Sequence, residues 1–243
     1  MKGYNTIVGV IPARLDSQRL PGKVLLNIGA KPMLQWVYER ARKSPLLNCL
    51  LVATDSEKVR QFCADQGIPV ILTGRHSSGT DRLFEVVERT EGSIYVNIQG
   101  DEPTIRAEHI DLLLRPIICE EAEVTTLKVA IDAAAAQDPN IVKVVTDIRG
   151  RALYFSRSPV PFDRDGQGRI RFYKHIGLYA YTRSTLSVFH SLPQSPLEMG
   201  EKLEQLRFLE NGIPILVQET PHDTVGVDTA ADLEQASRFL DVH

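Results

Sequence analysis

The sequence is poor in cysteine, in net charge and in long apolar runs, and each shortage closes off a class of protein. Its three cysteines, Cys49, Cys63 and Cys119, stand far apart without a C-x-x-C pair. An odd count at that spacing does not build a secreted disulfide framework. They read as small buried hydrophobes of a chain kept reduced in the cytoplasm. No apolar run reaches the length of a membrane span, and no signal-peptide pattern opens the chain, so no membrane partner is expected. The net charge of -3 gives no broad field for nucleic acid, so any anion site must be local. Also missing are an H-x-x-x-H or Cys/His zinc cluster, a nucleophile elbow, the G-x-G-x-x-G of dinucleotide folds and a Walker A loop.

The composition, 43% apolar and 24% charged, is that of an ordinary globular protein with a large core. Through the first half, strand and helix signals alternate with short connections. Thr6–Ile11 reads as a buried strand, and 32–43 as a helix with Met33, Trp36, Val37 and Ala41 inward. Strands follow at 49–53, 69–72 and 94–98, with helices opened by Ser56, over 80–89 and over 107–119. That alternation predicts an α/β fold with a mostly parallel sheet flanked by helices. After about residue 130, β-like pieces at 142–146, 152–156 and 176–181 are separated by polar turns, and Pro159 and Pro161 force an extended segment. An antiparallel insertion at about 150–200 is expected, followed by a helix at about 201–210, a strand at 215–218 and a last helix opened near Asp228. With no repeat, low-complexity segment or clear linker, residues 1–243 read as a single domain carrying this insertion.

The most telling stretch is 8–23, VGVIPARLDSQRLPGK. A buried strand breaks at Pro12 and feeds a Gly/Pro loop carrying Arg14, Arg19 and Lys23. Open α/β sheets hold phosphates at the carboxyl ends of their strands, and three cations there could neutralise much of a triphosphate. A solvated loop with scattered charges is the plainer alternative. The strand at 94–98 similarly ends in Gln99, Gly100, Asp101 and Glu102, where a carboxylate could hold Mg2+ against phosphate oxygens or simply cap a turn. Asp228 carries the same ambiguity. The turn Ser78–Arg82 precedes an apolar helix, and its hydroxyls and free N–H groups could read a base or an anion. Thr80 or Asp81 could equally be an ordinary helix cap.

Taken together, IPARLDSQRLPGK, GAKPML, VATD, SGTDRL, NIQGDEP, ALYFSRSPVPFDRD, KHIGLYAY, EKLEQLRFLENG and GVDTAADLE resemble the 3-deoxy-manno-octulosonate (Kdo) cytidylyltransferases, in order from about Ile11 to Glu234. The resemblance implies a nucleotide-diphospho-sugar transferase-like fold. It also implies transfer of CMP from CTP to Kdo, with pyrophosphate released, for lipopolysaccharide or capsule synthesis. By the same resemblance, Arg14, Arg19 and Lys23 would grip the CTP phosphates, and Arg75, Ser78, Thr80, Asp81 and Arg82 would help recognise cytidine. Asp101 and Asp228 would hold Mg2+ and, with Lys23, form the catalytic set. Gln99, Arg157, His175, Tyr179, Glu204 and Gln205 would line the sugar pocket, and the insertion would form a homodimer. Two departures stand out. Leu15-Asp16 replaces the usual aromatic-small pair and sets an acid near the triphosphate path, and Lys174 stands where many relatives carry Arg. A cytidylyltransferase for a modified Kdo, such as the 8-amino sugar, and a catalytically silent CTP- or sugar-binding homologue are the alternatives. A glycosyltransferase would show an Asp-x-Asp metal motif late in its nucleotide domain, and none is found there.

Overall fold

The computed structural model describes residues 6–17, 19–76 and 78–241. The chain forms two compact units, one made of residues 1–111 and 224–243, the other of residues 112–223. The first unit opens with β1 (Ile7–Pro12), buried over five of its six residues. A small antiparallel ribbon of β2 (Asn27–Ile28) and β3 (Lys31–Pro32) leads into α1 (Met33–Ala41). Then come β4 (Cys49–Thr54), α2 (Glu57–Asp65), β5 (Val70–Leu72), α3 (Gly79–Arg89), β6 (Ile94–Asn97) and the start of α4 (Ala107–Ile118).

These strands pair in the order β6-β1-β4-β5, every pairing parallel. The chain builds outward from β1 to β4 and β5, then returns through α3 to set β6 on the other side of β1. That reversal makes a topological switch point, and the crevice beyond the carboxyl ends of the strands there is where open α/β sheets bind ligands. Local chemistry supports each element. Met33, Leu34, Val37 and Ala41 bury one face of α1, while the half-buried Trp36 donates its indole N–H to Ile28 O at 2.9 Å. Ser56 caps α2 by accepting from Val59 N.

The second unit contains β7 (Val124–Ile131), β8 (Lys143–Thr146), β9 (Ala152–Ser156), β10 (Phe172–Thr182), α5 (Arg183–Ser191), α6 (Pro196–Glu201), α7 (Leu206–Glu210) and β11 (Leu216–Glu219). Its strands run β11-β7-β10-β8-β9, antiparallel except for β11 with β7. The chain then re-enters the first unit with α8 (Ala230–Asp241). There Val227, Ala236 and Leu240 pack with Ile28 and Met33.

The α/β class, with a mostly parallel first sheet and an antiparallel insert, matches the expectation. Several details differ. The eight-residue β7 and the helix α5 had no counterpart in the sequence reading. Of the helix expected over 201–210 only α7 is present; α6 lies ahead of it and ends at Glu201, where Lys202 takes a left-handed conformation with φ 56°. Only Cys63 is buried; Cys49 and Cys119 are exposed. Most aromatic side chains of the insertion point inward, Phe155, Phe172, Tyr179 and Tyr181 being buried, whereas Phe162 is 82% exposed.

Candidate active site

The loop after β1 is closed by a hydrogen bond from Gly22 N to Leu15 O at 3.0 Å. Gly22 holds φ 69°, a left-handed turn that suits glycine, and passes the chain into a single helical turn over Lys23–Leu25. This turn buries Lys23, whose side chain is only 8% exposed. Its Nζ donates to Asp101 Oδ2 at 2.6 Å, Asp228 Oδ1 at 2.7 Å and Val227 O at 3.0 Å, which uses all three ammonium protons. Arg19 Nη2 donates to Asp228 Oδ2 at 2.7 Å. Burial alone would lower the Lys23 pKa, but the two carboxylates outweigh it and raise the value, so the ammonium stays charged. For Asp228, burial is overcome by Lys23 and Arg19, which hold its carboxyl below the usual range.

Both acids are placed by backbone. Gly100 packs so tightly that a Cβ there would lie 2.7 Å from Pro12 O, so only glycine lets the turn after β6 reach the end of β1. Val227 N donates to Asp101 O at 2.8 Å, tying the two acidic segments together. Asp228 is not the cap of α8. Asp232 Oδ2 accepts from the backbone N–H of Asp228 and Thr229, and Thr229 Oγ1 accepts from Asp232 N, so the Asp228 carboxylate is left for Lys23 and Arg19. Beside this cluster opens a hollow of about 700 Å³ lined by Arg14, Asp16, Ser17, Arg19, Lys23 and Asp228. Arg14 and Asp16 are exposed. The loop residue Gln18 and the turn residue Ser77 lie outside the described residues.

At the start of α3 the cap is Ser78, which accepts from Asp81 N at 3.1 Å, rather than Thr80 or Asp81. Arg82 is buried, with its guanidinium on Thr73 Oγ1, Gly74 O and Asp55 Oδ2. It ties the ends of β4 and β5 to α3. Thr80 is buried and Arg75 is exposed. Gln99 Oε1 lies 3.8 Å from where a Gly79 Cβ would stand, so the end of β6 meets the start of α3.

Apart from Gln99, the sugar candidates belong to the second unit. His175 packs against Phe155 and Tyr179, with ring centroids 4.9 and 5.4 Å away, and its Nε2 is 3.0 Å from Thr126 Oγ1. Desolvation, helped by the charge of Lys174, pushes the imidazole down to about 3, so it is neutral at pH 7. Burial raises the Tyr179 phenol well above its ordinary value, with Thr126 opposing and the Glu204 carboxylate adding to the rise. Glu204 and Gln205 form the turn between α6 and α7, and Gln205 is buried. A bidentate ion pair of Arg207 with Glu198 clamps the two helices across that turn. Arg157 is anchored by Glu201 and by backbone carbonyls. The sequence reading singled out neither Glu201 nor Asp55. Their contacts span 44 and 27 positions, and no local pattern signals them.

Known proteins share this sequence pattern and fold. A family model described as cytidylyltransferase matches residues 8–218. The 3-deoxy-manno-octulosonate cytidylyltransferase of Koribacter versatilis is 50% identical over 234 residues, covering 96% of this chain and 89% of its own. That of Geobacter sulfurreducens is 48% identical over 247 residues, covering 96% and 99%. A solved structure of CMP:2-keto-3-deoxy-manno-octonic acid synthetase complexed with CTP matches with a TM-score of 0.94 at 46% identity, covering 98% of this chain and 99% of that one. A cytidylyltransferase from Leptospira borgpetersenii, 20% identical with a TM-score of 0.65 over 98% and 87% of the two chains, shares the fold.

Proposed function

The chain belongs to the family of 3-deoxy-manno-octulosonate cytidylyltransferases, and from that premise we infer that it transfers CMP from CTP to the anomeric hydroxyl of Kdo. The hydroxyl oxygen forms a bond to the α-phosphorus while the bridge to the β-phosphate breaks. Pyrophosphate leaves with the electron pair, and the hydroxyl gives up its proton. Such a displacement rests on positioning and charge neutralisation, without a covalent enzyme intermediate. The observation that carries this reading is the cluster of Lys23, Arg19, Asp101 and Asp228 beside the hollow at the switch point of the parallel sheet.

Mg2+ is the proposed cofactor, and the donor set fits it. Asp101 and Asp228 converge on one cation, the Lys23 ammonium, so the two carboxylates already face a common point of positive charge. Among the described residues no group of three or more His, Cys, Asp or Glu side chains gathers, here or elsewhere, so phosphate and water would complete the coordination. Two carboxylates with phosphate and water oxygens suit a hard divalent ion better than a site built wholly of protein ligands. When bound, Mg2+ supplies charge neutralisation at the phosphate and lowers the pKa of a coordinated hydroxyl. The chain's own contribution is Lys23, Arg19 and Arg14 on the phosphates and the start of α3 on the cytidine. In the second unit Arg157, with His175, Tyr179, Glu204 and Gln205, takes the sugar acid. The neutral His175 offers a hydrogen bond without adding charge.

A homodimer through the second unit is part of the same reading, supported by Phe162 and Leu153, exposed at 82% and 63%. So are a cytoplasmic location and service to lipopolysaccharide or capsule synthesis; no helix among the described residues is long and apolar enough to cross a membrane. Pyrophosphate release from CTP tests the reaction. It is expected only when Kdo and Mg2+ are both present, and release that ignores Kdo, or none at all, contradicts it.

A further inference from the structure

Glu201 ends α6 and was not among the residues assigned to either substrate. Its carboxylate turns away from its own helix to β9. Oε1 accepts from Ser156 Oγ at 2.7 Å, and Oε2 accepts from the backbone N–H of Arg157 at 2.9 Å. Its main-chain oxygen accepts from Arg157 Nε at 2.8 Å. One residue therefore fixes both the backbone and the side chain of Arg157. The next peptide, through the carbonyl of Arg157, is fixed by Lys143, which is fully buried. Its Nζ donates to Arg157 O and Ile141 O, each at 2.6 Å, and to Asp138 O at 2.9 Å. Arg157 Nη1 donates to Pro139 O at 3.1 Å.

The buried arginines pair with carboxylates, Arg207 with Glu198 and Arg82 with Asp55. The Arg157 guanidinium is held by neutral carbonyls alone, and its remaining N–H groups have no partner among the described residues. In the cluster the cations Lys143 and Arg157 face the carboxylates of Glu201 and Asp138, of which Asp138 acts chiefly on Lys143. A planar fork with an open edge and no carboxylate hydrogen-bonded to it is suited to bind an anion of carboxylate shape. Burial works against the Glu201 charge, but the Arg157 N–H, the Ser156 and Tyr154 hydroxyls and the guanidinium outweigh it and hold the carboxyl below its usual range. Next to Glu201, Lys202 sits at φ 56°, a strained conformation for a side-chain-bearing residue, on the turn that carries Glu204 and Gln205.

We propose that Glu201 is a positioning residue for the sugar acid: it sets the Arg157 fork that meets the substrate carboxylate and locks it to the Glu204–Gln205 turn. The proposal rests on the reading of Arg157 as the carboxylate-binding residue. The test is steady-state kinetics on the whole chain with CTP, Mg2+ and Kdo, comparing wild type, Glu201→Gln, Arg157→Ala and the double variant. Glu201→Gln leaves one N–H or O–H of the cluster facing a donor, and the Kdo KM is expected to rise about tenfold. The CTP KM is expected to stay within about twofold, because the nucleotide candidates lie in the other unit. The double variant is expected to match Arg157→Ala alone.

An unchanged Kdo KM in Glu201→Gln, or a double variant showing the product of both losses, overturns the role given to Glu201 while leaving Arg157 in place. An unchanged Kdo KM in Arg157→Ala overturns the Arg157 reading and the proposal with it. Should Glu201→Gln not fold, Ser156→Ala removes one donor to the carboxylate and keeps its charge. An approximately threefold rise confined to the Kdo KM supports the proposal, and equal rises in both KM values, or none, refute it.

Discussion

Asp228→Asn separates the chemical role of the ionic cluster from its structural one. In the folded protein the Asp228 carboxylate touches Lys23 Nζ and Arg19 Nη2, both at 2.7 Å, and its side chain is 45% exposed. Neutralising it leaves Lys23 with Asp101 Oδ2 and Val227 O, and leaves Arg19, itself 62% exposed, to water. The exposed Arg19 pair contributes about 0–1 kcal/mol, and the buried Lys23 keeps two acceptors and can still donate to the new amide oxygen, so urea unfolding is expected to shift by no more than about 2 kcal/mol. Turnover should behave differently. One unit charge acting over about 4 Å at an effective dielectric near 20 amounts to about 4 kcal/mol. That corresponds to roughly a thousandfold in rate if the charge is needed to hold a divalent ion against the reacting phosphate. The assay is kcat for pyrophosphate release at saturating CTP, Kdo and Mg2+, beside a urea melt. A loss below about tenfold with an intact fold refutes the metal-holding role. A loss accompanied by several kcal/mol of destabilisation assigns Asp228 to the fold instead.

Three further outcomes follow from the same geometry. Asp16 lines the hollow beside Lys23, is exposed and has no ion-pair partner among the described residues, so Asp16→Asn is expected to lower the CTP KM about two- to fivefold; a higher KM would show that the acid aids binding. His175 titrates near 3 when folded against about 6.5 when unfolded, so its stabilisation is complete above pH 6.5 and is lost as the pH falls toward 3. His175→Gln should therefore flatten the loss of unfolding free energy across that window, by up to about 1.4 kcal/mol per pH unit, and an unchanged slope contradicts the neutral imidazole. Phe162→Glu should convert a dimer into a monomer in light scattering at micromolar protein, and a wild type that is already monomeric contradicts the dimer.

Much of the parallel half was legible in the sequence because each strand there is a short apolar run ended by polar or Gly/Pro residues. Each following helix shows its buried face at helical spacing, as in Leu83, Val86 and Val87 of α3. The strand β7 escaped because it does not read as apolar. Thr125, Thr126 and Lys128 are buried within it, their polar groups satisfied by Leu113 O, by Ile176 O and Leu178 O, and by Thr146 Oγ1. Only tertiary partners make such residues core-compatible. The break between α6 and α7 was invisible because Lys202 is a good helix former in an otherwise helical pattern, and its left-handed conformation is imposed by the surrounding structure. In the candidate site, residue types at strand ends pointed to Lys23, Asp101 and Asp228. Their mutual contact spans 78 and 205 positions and is a product of the fold. Asp228 read locally as a helix cap, a role that Thr229 and Asp232 fill instead. Glu201 gave no local signal, since its function lies in what it holds.

The central claim is the identity of the two substrates. Its most direct measurement is the product formed from CTP and Mg2+ with an equimolar mixture of Kdo, 8-amino-Kdo and N-acetylneuraminate, followed by mass spectrometry with kcat/KM determined for each sugar. CMP-Kdo is expected as the dominant product, with the largest kcat/KM. A larger kcat/KM for the amino sugar or the sialate, or no CMP-sugar at all, would contradict the account.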